Sequence, residues 1–309
     1  MLKQKIAPAE AESIKKAFDK CKNVVICTHT SPDGDAIGSS LGLWLYLKSL
    51  GKNPTVIVPN YFPDFLHWME GADKIIQYDR NRTLSKAIIS SADLVRCLYF
   101  NALDRIEDLA TPLRYSKAKK VMIDHHLNPD KDSFDLTFSV QEISSASELL
   151  YHILKATPQC DGKAENLPFY AAESLITGMT TDTNNFANST WPSTLMMASE
   201  LIAIGVDRDR IISNLYNKYG ENRLRLLGHI LKDLMTITED GVAYIFLDKT
   251  TLDKYDIKEG DTEGFVNMPL SIAEVRMSIL IKEDTGKARV SIRSKKGTSA
   301  NTCARLYFN

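Results

Sequence analysis

The residues best suited to chemistry form the string HTSPDGDAIGS at positions 29–39. It places one imidazole, His29, and two carboxylates, Asp33 and Asp35, within seven residues. Imidazole and carboxylate groups together suit Mn²⁺, Mg²⁺, Fe²⁺ or Co²⁺. The tripeptide 33–35 alone is more typical of a polar turn in which Asp35 caps a helix. The whole string is more specific than that tripeptide, and it predicts a divalent metal site.

Two later segments carry the same residue types. The run KKVMIDHH ends in Asp124, His125 and His126. Adjacent histidines after a buried strand point to different sides, so one can ligate a metal while the other faces a substrate. The other segment, GMTTDT, contributes Asp182. By itself Asp182 is typical of a helix end, but it supplies a further carboxylate in the same domain.

These side chains need a scaffold, and the apolar runs around them predict one. Short runs rich in Val, Ile and Leu recur at 23–28, 54–58, 74–77, 93–98, 119–124 and 134–140. Helical patterns separate them, such as 36–51, which ends at Gly51, a residue suited to a helix C-terminus. Strands that alternate with helices imply a parallel sheet, and ligands bind at the C-terminal ends of its strands.

A change of periodicity marks a second domain. After a charged helical pattern at 207–234, apolar and polar residues alternate at 242–248, 275–282 and 288–294, as is typical of antiparallel strands. The chain is therefore predicted to be an α/β protein in three parts. These are a parallel-sheet N-terminal domain with flanking helices (1–210), a helical linker (211–235) and a smaller α+β domain (236–309).

Composition argues against several classes of protein. The 309 residues carry a net charge of −1 and a pI of 6.6, which disfavours a large basic surface for long duplexes. No window approaches the roughly 18 consecutive apolar residues of a membrane span, and the N-terminus lacks the features of a signal peptide. The five cysteines form no CxxC pair, which favours buried thiols in a reducing cytoplasm.

Taken together, the motifs resemble those of the DHH phosphoesterase family. HTSPDGDAIGS resembles its first motif, IDHH the motif that names it, and ITGMTTDTNNF its fourth, while LYFNALDRIEDL occupies the place of the second. The C-terminal strands, with RVSIRSK (289–295), resemble the DHH-associated C-terminal domain. The closest subgroup is the bifunctional oligoribonuclease/pAp phosphatases, or nanoRNases. Similar chains are also described as exopolyphosphatase-related proteins.

The resemblance implies two metal ions in one site. His29 and Asp33 would hold the first ion, and Asp35, His125 and Asp182 would hold the second. The family typically uses Mn²⁺, and Mg²⁺ or Co²⁺ suit the same kinds of ligand.

The resemblance also implies roles for three further residues. His126 would lie beside the substrate phosphate, where it stabilises the phosphoryl oxygens or protonates the leaving group. Asp124 would orient the site, since metal-bound imidazoles commonly need a carboxylate behind them. Arg293 would contact the substrate, because Arg grips phosphate with two hydrogen bonds or stacks on a base. For Arg293, a solvated charge at a strand end is an equally favoured interpretation.

Two features depart from the family pattern. The second motif normally supplies an aspartate that bridges both metals, in a pattern such as L-D-x-N, and here Tyr99 stands at that position. A neutral phenol is a poor substitute for a bridging carboxylate, so we expect weakened binding of at least one metal. In addition, the family's glycine-rich GGGH-type motif would follow residue 309, so the C-terminal domain is expected to be incomplete in this sequence.

We therefore expect a hydrolase that cleaves short single-stranded oligonucleotides (nanoRNA) from an end, and 3′-phosphoadenosine 5′-phosphate (pAp), with water activated by two metals. One alternative is a degenerate homologue that binds nucleotides but has impaired catalysis because of Tyr99. Another is a related hydrolase of cyclic dinucleotides, pyrophosphate or polyphosphate. No membrane and no long duplex is expected as a partner, and a homo-oligomer is compatible with the sequence.

Overall fold

The computed structural model describes residues 21–100, 102–125, 130–258, 260–284 and 286–308. The chain divides into two compact units, with the boundary between Asn217 and Lys218. This boundary lies inside the segment 211–235 that the sequence analysis assigns to a linker. Among the described helices, none combines the length and the apolar character that a membrane crossing requires.

The first unit is built on a six-stranded sheet in the order β3-β2-β1-β4-β5-β6. The strands are β1 (Asn23–Cys27), β2 (Asn53–Val58), β3 (Ile76–Gln77), β4 (Leu94–Leu98), β5 (Lys119–Asp124) and β6 (Leu136–Ser139). Every neighbouring pair runs parallel. The α/β fold with a parallel N-terminal sheet is therefore confirmed. The strand order reverses between β1 and β4, which is where α/β sheets of this kind bind ligands.

The strands form where Val, Ile and Leu are buried on both faces of the sheet. In β1, Val24 and Ile26 belong to the core on one side, and Val25 and Cys27 belong to the core on the other. All four side chains are at most 1% exposed. Because helices cover both faces, these strands have continuous apolar runs rather than alternating ones.

Seven helices of the first unit lie within the described residues. They are α1 (Gly34–Ser49), α2 (Arg82–Ser90), α3 (Ala110–Tyr115), α4 (Ala146–Lys155), α5 (Phe169–Asp182), α6 (Pro192–Ala203) and α7 (Arg208–Tyr216). Asp33 caps α1, since its Oδ1 accepts a hydrogen bond of 3.0 Å from the Ala36 amide. The interpretation of Asp35 as the cap is therefore wrong. The helix starts two residues earlier than that interpretation requires, at Gly34, so Asp35 lies in its first turn.

The second unit carries a four-stranded sheet in the order β10-β9-β8-β7. Its strands are β7 (Thr236–Ile237), β8 (Val242–Leu247), β9 (Met277–Asp284) and β10 (Lys287–Ser294). Its helices are α8 (Glu221–His229), which continues as a π-helical turn at Ile230–Leu234, α9 (Lys249–Lys254) and α10 (Ala300–Tyr307).

The pairing in this second sheet corrects part of the sequence interpretation. β9 and β10 are antiparallel, as predicted, and so are β7 and β8. β8 and β9, however, pair in parallel. Residues 248–276 connect them through α9 and a 3₁₀ helix, Phe265–Ser271, and a connection of this length can cross over the sheet as a parallel pair requires.

Candidate metal centre

Polar residues gather at the carboxyl ends of the central strands of the first unit. His29 follows β1, Tyr99 follows β4, and His125 follows β5 directly. Since β1 and β4 are neighbours at the point where the strand order reverses, their following loops flank the crevice in which such sheets bind ligands. These three residues therefore lie at the edge of the sheet where a ligand site is expected from the sequence.

Three residues meet there closely enough to share one metal ion. One ligand atom from each of Asp35, His125 and Asp182 lies within 4.8 Å of the others, and His125 Nε2 is 3.4 Å from Asp182 Oδ2. We call this group the Asp–His–Asp cluster. Its carboxylate oxygens and imidazole nitrogen are donors that suit Mn²⁺, Mg²⁺ or Co²⁺, so the residues fit a divalent cation.

Asp35 is held by the N-terminus of α4. The amides of Ala146 and Ser147 donate hydrogen bonds to its Oδ2 and Oδ1, at 2.7 and 2.9 Å. A helix N-terminus favours a negative charge through its dipole and its unpaired amides. Even so, burial, followed by the negative charge of Asp33, outweighs these bonds and raises the pKa of Asp35 to about 7. This carboxylate is therefore costly to ionise unless a cation lies beside it.

Glycines allow the helices around Asp35 to approach one another. A Cβ added at Gly38 of α1 would lie 2.7 Å from the backbone of Gly178 in α5. A Cβ at Gly178 would overlap Ser147 Oγ and lie 3.1 Å from Asp35 Oδ1. The two glycines therefore bring α1, α4 and α5 together, and this places Asp35 near Asp182 at the end of α5.

Tyr99 lies at the middle of the centre. Its hydroxyl donates a hydrogen bond of 3.0 Å to Asp182 Oδ1, and the backbone has a left-handed φ of 62°. Its ring stacks on His125 with centroids 5.3 Å apart, and the ring of His29 lies 5.1 Å away on a tilted plane. Burial, and then the charge of Asp33, raise the pKa of Tyr99 well above its ordinary value of 10.0. The residue is therefore a neutral phenol at neutral pH.

The segment 29–33, which we call the histidine loop, lies beside Tyr99. His29 Nδ1 is 2.8 Å from the Thr30 carbonyl oxygen, which fixes the proton on Nδ1 and places the acceptor lone pair on Nε2. Asp33 uses one oxygen to cap α1. His29 and Asp33 are not members of the Asp–His–Asp cluster. Their role as ligands of a first ion stays a prediction.

The other predicted site residues have different positions. Asp124 is the last residue of β5 and is fully buried, and its orienting role stays a prediction. His126 lies outside the described residues. Arg293 belongs to β10 in the second unit, where its Nη1 donates a hydrogen bond of 3.0 Å to the Ile292 carbonyl, and its contact with substrate stays a prediction.

The residues that support Asp35 from behind were not predicted from the sequence. Ser145 caps α4 by accepting from the Glu148 amide at 3.0 Å, and the Glu148 carboxylate accepts from the Ser144 amide at 3.0 Å. Glu148 also accepts from Thr194 of α6 at 2.7 Å, so it ties two helices together. The available signal was the spacing Ser-x-x-Glu, a pattern typical of helix N-termini.

Known proteins share both the sequence and the fold. The DHH family, N-terminal domain, matches residues 23–179. The structure of an exopolyphosphatase-related protein from Bacteroides fragilis has a TM-score of 0.90 to this chain at 42% identity, and the match covers 98% of this chain and 88% of that one. The bifunctional oligoribonuclease and PAP phosphatase NrnA of Bacillus subtilis is 29% identical over 92% of this chain and 85% of its own length.

A more distant structure shares the fold alone. RecJ of Thermus thermophilus, in complex with Mn²⁺, has a TM-score of 0.55 at 13% identity, and the match covers 96% of this chain and 48% of that one. The family match covers more than half of this chain, and it contains both the loop at 29–39 and the Asp-His-His motif. The resemblance predicted from the motifs is thereby confirmed, and the chain belongs to the DHH family of phosphoesterases.

Proposed function

We propose that this phosphoesterase is metal-dependent and hydrolyses short single-stranded oligonucleotides from an end, together with pAp. The observation that carries the proposal is the Asp–His–Asp cluster at the carboxyl edge of the parallel sheet. The relative from Bacillus subtilis, which is named for both activities and aligns over most of the chain, supports the choice of substrates.

The ion proposed for this centre is Mn²⁺, with Mg²⁺ or Co²⁺ as alternatives for the same donors. When bound, such an ion lowers the pKa of a ligated water and neutralises charge on the phosphate. Asp35, His125 and Asp182 would hold it. The second ion expected at His29 and Asp33 stays a prediction.

The residues of the chain have distinct tasks in this proposal. The α4 amides keep Asp35 in place, and the phenol of Tyr99 fixes one oxygen of Asp182 while the other faces His125. Ligands positioned in this way need little rearrangement when an ion binds. Asp124 would orient the metal-bound imidazole, and His126 and Arg293 would contact the substrate phosphate or base.

The test is hydrolysis of a labelled RNA trinucleotide and of pAp by the full chain, with and without Mn²⁺. We expect release of mononucleotides and of phosphate that requires the metal and is lost in His125→Ala. The matched control is His67→Ala, an exposed histidine distant in sequence from the centre, which should keep the activity. Equal activity of His125→Ala and the native chain would contradict the proposal.

A second candidate function follows from Tyr99. The neutral phenol that replaces a carboxylate favours a protein that binds nucleotides and turns them over slowly or not at all. Nucleotide binding without hydrolysis of either substrate would support this candidate. Assays with cyclic dinucleotides, pyrophosphate and polyphosphate in the same series would separate it from a phosphoesterase of different specificity.

A further inference from the structure

Tyr99 contacts both parts of the candidate centre. Its ring stacks on His125 of the Asp–His–Asp cluster, with centroids 5.3 Å apart, and its centroid lies 5.1 Å from that of the His29 ring. Only 7% of the residue is exposed, so the ring occupies the interior of the site. A ligand shared between His29 and the cluster would have to occupy the position of this phenol.

The lack of a negative charge on Tyr99 opposes a pair of ions as much as its volume does. Two divalent ions a few ångströms apart repel each other strongly, and a shared anion offsets that repulsion. A protonated phenol offers no such anion. Its hydroxyl moreover points its proton at Asp182, 3.0 Å away, and therefore donates rather than accepts at this position.

The Asp–His–Asp cluster and the histidine loop also differ in the donor atoms that they offer to an ion. Asp182 presents one oxygen to Tyr99 and the other to His125, so the cluster has a complete set of three donors. In the histidine loop, Asp33 uses its Oδ1 to cap α1. The cluster is thus prepared for one ion without any donor from the loop.

We propose that this chain binds a single divalent ion, in the Asp–His–Asp cluster, and that Tyr99 keeps a second ion from the histidine loop. The inference rests on the proposed metal dependence, and it lowers the number of ions bound per chain from two to one. Tyr99 is accordingly the residue that determines how many ions the centre holds. Replacing it with aspartate restores the anion that a second ion needs.

The experiment counts Mn²⁺ ions on the metal-free full chain. Equilibrium dialysis gives the number bound per chain, and electron paramagnetic resonance distinguishes isolated from exchange-coupled Mn²⁺. We expect one uncoupled ion in the native protein and one in Tyr99→Phe. Tyr99→Asp should bind two ions and show the coupled signal.

Tyr99→Asp introduces a polar residue into a buried position and could fail to fold. Two histidine variants therefore test the number of bound ions without it. His29→Ala should still bind one ion, whereas His125→Ala should lose it. A native protein that binds two coupled ions and loses one in His29→Ala would overturn the inference while leaving the metal-dependent function intact. A folded Tyr99→Asp that still binds one ion would overturn the role given to Tyr99. Absence of Mn²⁺ binding by the native protein would overturn both the inference and the proposed function.

Discussion

The two parts of the candidate centre are held in different ways. In the Asp–His–Asp cluster the carboxylates are fixed by groups far along the chain. Asp35 accepts from the amides of Ala146 and Ser147, which are 111 and 112 positions later, and Asp182 accepts from Tyr99, 83 positions earlier. In the histidine loop the two side chains bond to nearby backbone groups, His29 to the Thr30 carbonyl and Asp33 to the Ala36 amide. The loop backbone is anchored from further away, since the Thr30 amide donates to the Arg105 carbonyl at 3.0 Å and the Ser31 amide donates to Asn60 Oδ1 at 2.7 Å.

This difference indicates which part of the centre has its donor atoms already positioned to bind an ion. Donors fixed by distant elements are positioned by the packing of α1, α4 and α5, and they cannot rearrange unless those helices move. The side chains of His29 and Asp33 bond instead to backbone groups one and three residues away, so no distant helix fixes those side chains directly. We therefore expect substitutions in the cluster, or in the helix packing behind it, to affect metal binding more than substitutions in the loop.

The largest expected effect is a difference in Mn²⁺ binding between substitutions of two aspartates, Asp182 and Asp33. Asp182→Asn removes a charged donor from the cluster and should weaken Mn²⁺ binding and trinucleotide hydrolysis by at least about 100-fold, because even residues that only support a ligand cost 10–100-fold. Asp33→Asn should cost less than about tenfold, since Asn caps a helix as well as Asp does. Titration of Mn²⁺ into both metal-free variants measures this. Equal losses would show that the loop binds the ion as strongly as the cluster does.

The second largest effect should come from a glycine that lets α1, α4 and α5 pack closely. Gly178→Ala places a methyl group against Ser147 and Asp35, so we expect the free energy of unfolding to fall by about 2–3 kcal/mol. Mn²⁺ affinity should fall with it. The matched control is Gly228→Ala in α8, where the added methyl group meets open space and should be neutral or stabilising. Urea unfolding with and without Mn²⁺ measures both, and an equal response of the two variants would contradict the packing argument.

Much of the fold could be predicted from local patterns. Continuous apolar runs such as 23–28 identify buried strands, and helices between them imply parallel pairing. The strands of the second unit show the limit of this reasoning. The alternation at 242–248 and 275–282 predicts strands but not their relative direction, because that direction depends on the path of the connection between them.

The candidate site could be predicted to a similar degree. The resemblance to the DHH motifs predicts Asp35, His125 and Asp182 as ligands of one ion, and one ligand atom of each lies within 4.8 Å of the others. Whether Asp33 or Asp35 caps α1 could not be settled, because a shift of two residues in the helix start exchanges their roles. The amides that hold Asp35 could not be predicted either, since any residue type has a backbone amide.

A smaller effect should come from the support behind Asp35. Burial alone would raise the pKa of Glu148, but its contacts with His152 and Ser144 and its hydrogen bond from Thr194 lower the pKa from 4.5 to about 2. The folded state therefore holds this proton less tightly than the unfolded chain does. The stability that Glu148 contributes is fully present above pH 4.5 and is lost as the pH falls through about 2.

Glu148→Gln should lower the free energy of unfolding at pH 7 by about 2 kcal/mol, because Ser144 and Thr194 lose a charged acceptor. It should also make stability less dependent on pH between pH 4.5 and 2. The control is Glu165→Gln, an exposed carboxylate whose side chain is 68% accessible. Chemical unfolding at several pH values measures this, and parallel pH profiles for native protein and Glu148→Gln would rule out the proposed support.

The smallest effect should come from the hydroxyl of Tyr99. Tyr99→Phe keeps the ring between the two parts of the centre but removes the hydrogen bond to Asp182, so the metal-free protein should lose about 1 kcal/mol of stability. Tyr244→Phe, whose side chain is exposed in the second unit, should lose nothing measurable. Saturating Mn²⁺ should reduce the loss in Tyr99→Phe, because the cation then balances the charge of Asp182. Thermal unfolding with and without Mn²⁺ checks this. An unchanged stability would mean that the helix packing alone holds Asp182, and that Tyr99 acts in the centre only through its volume and its lack of charge.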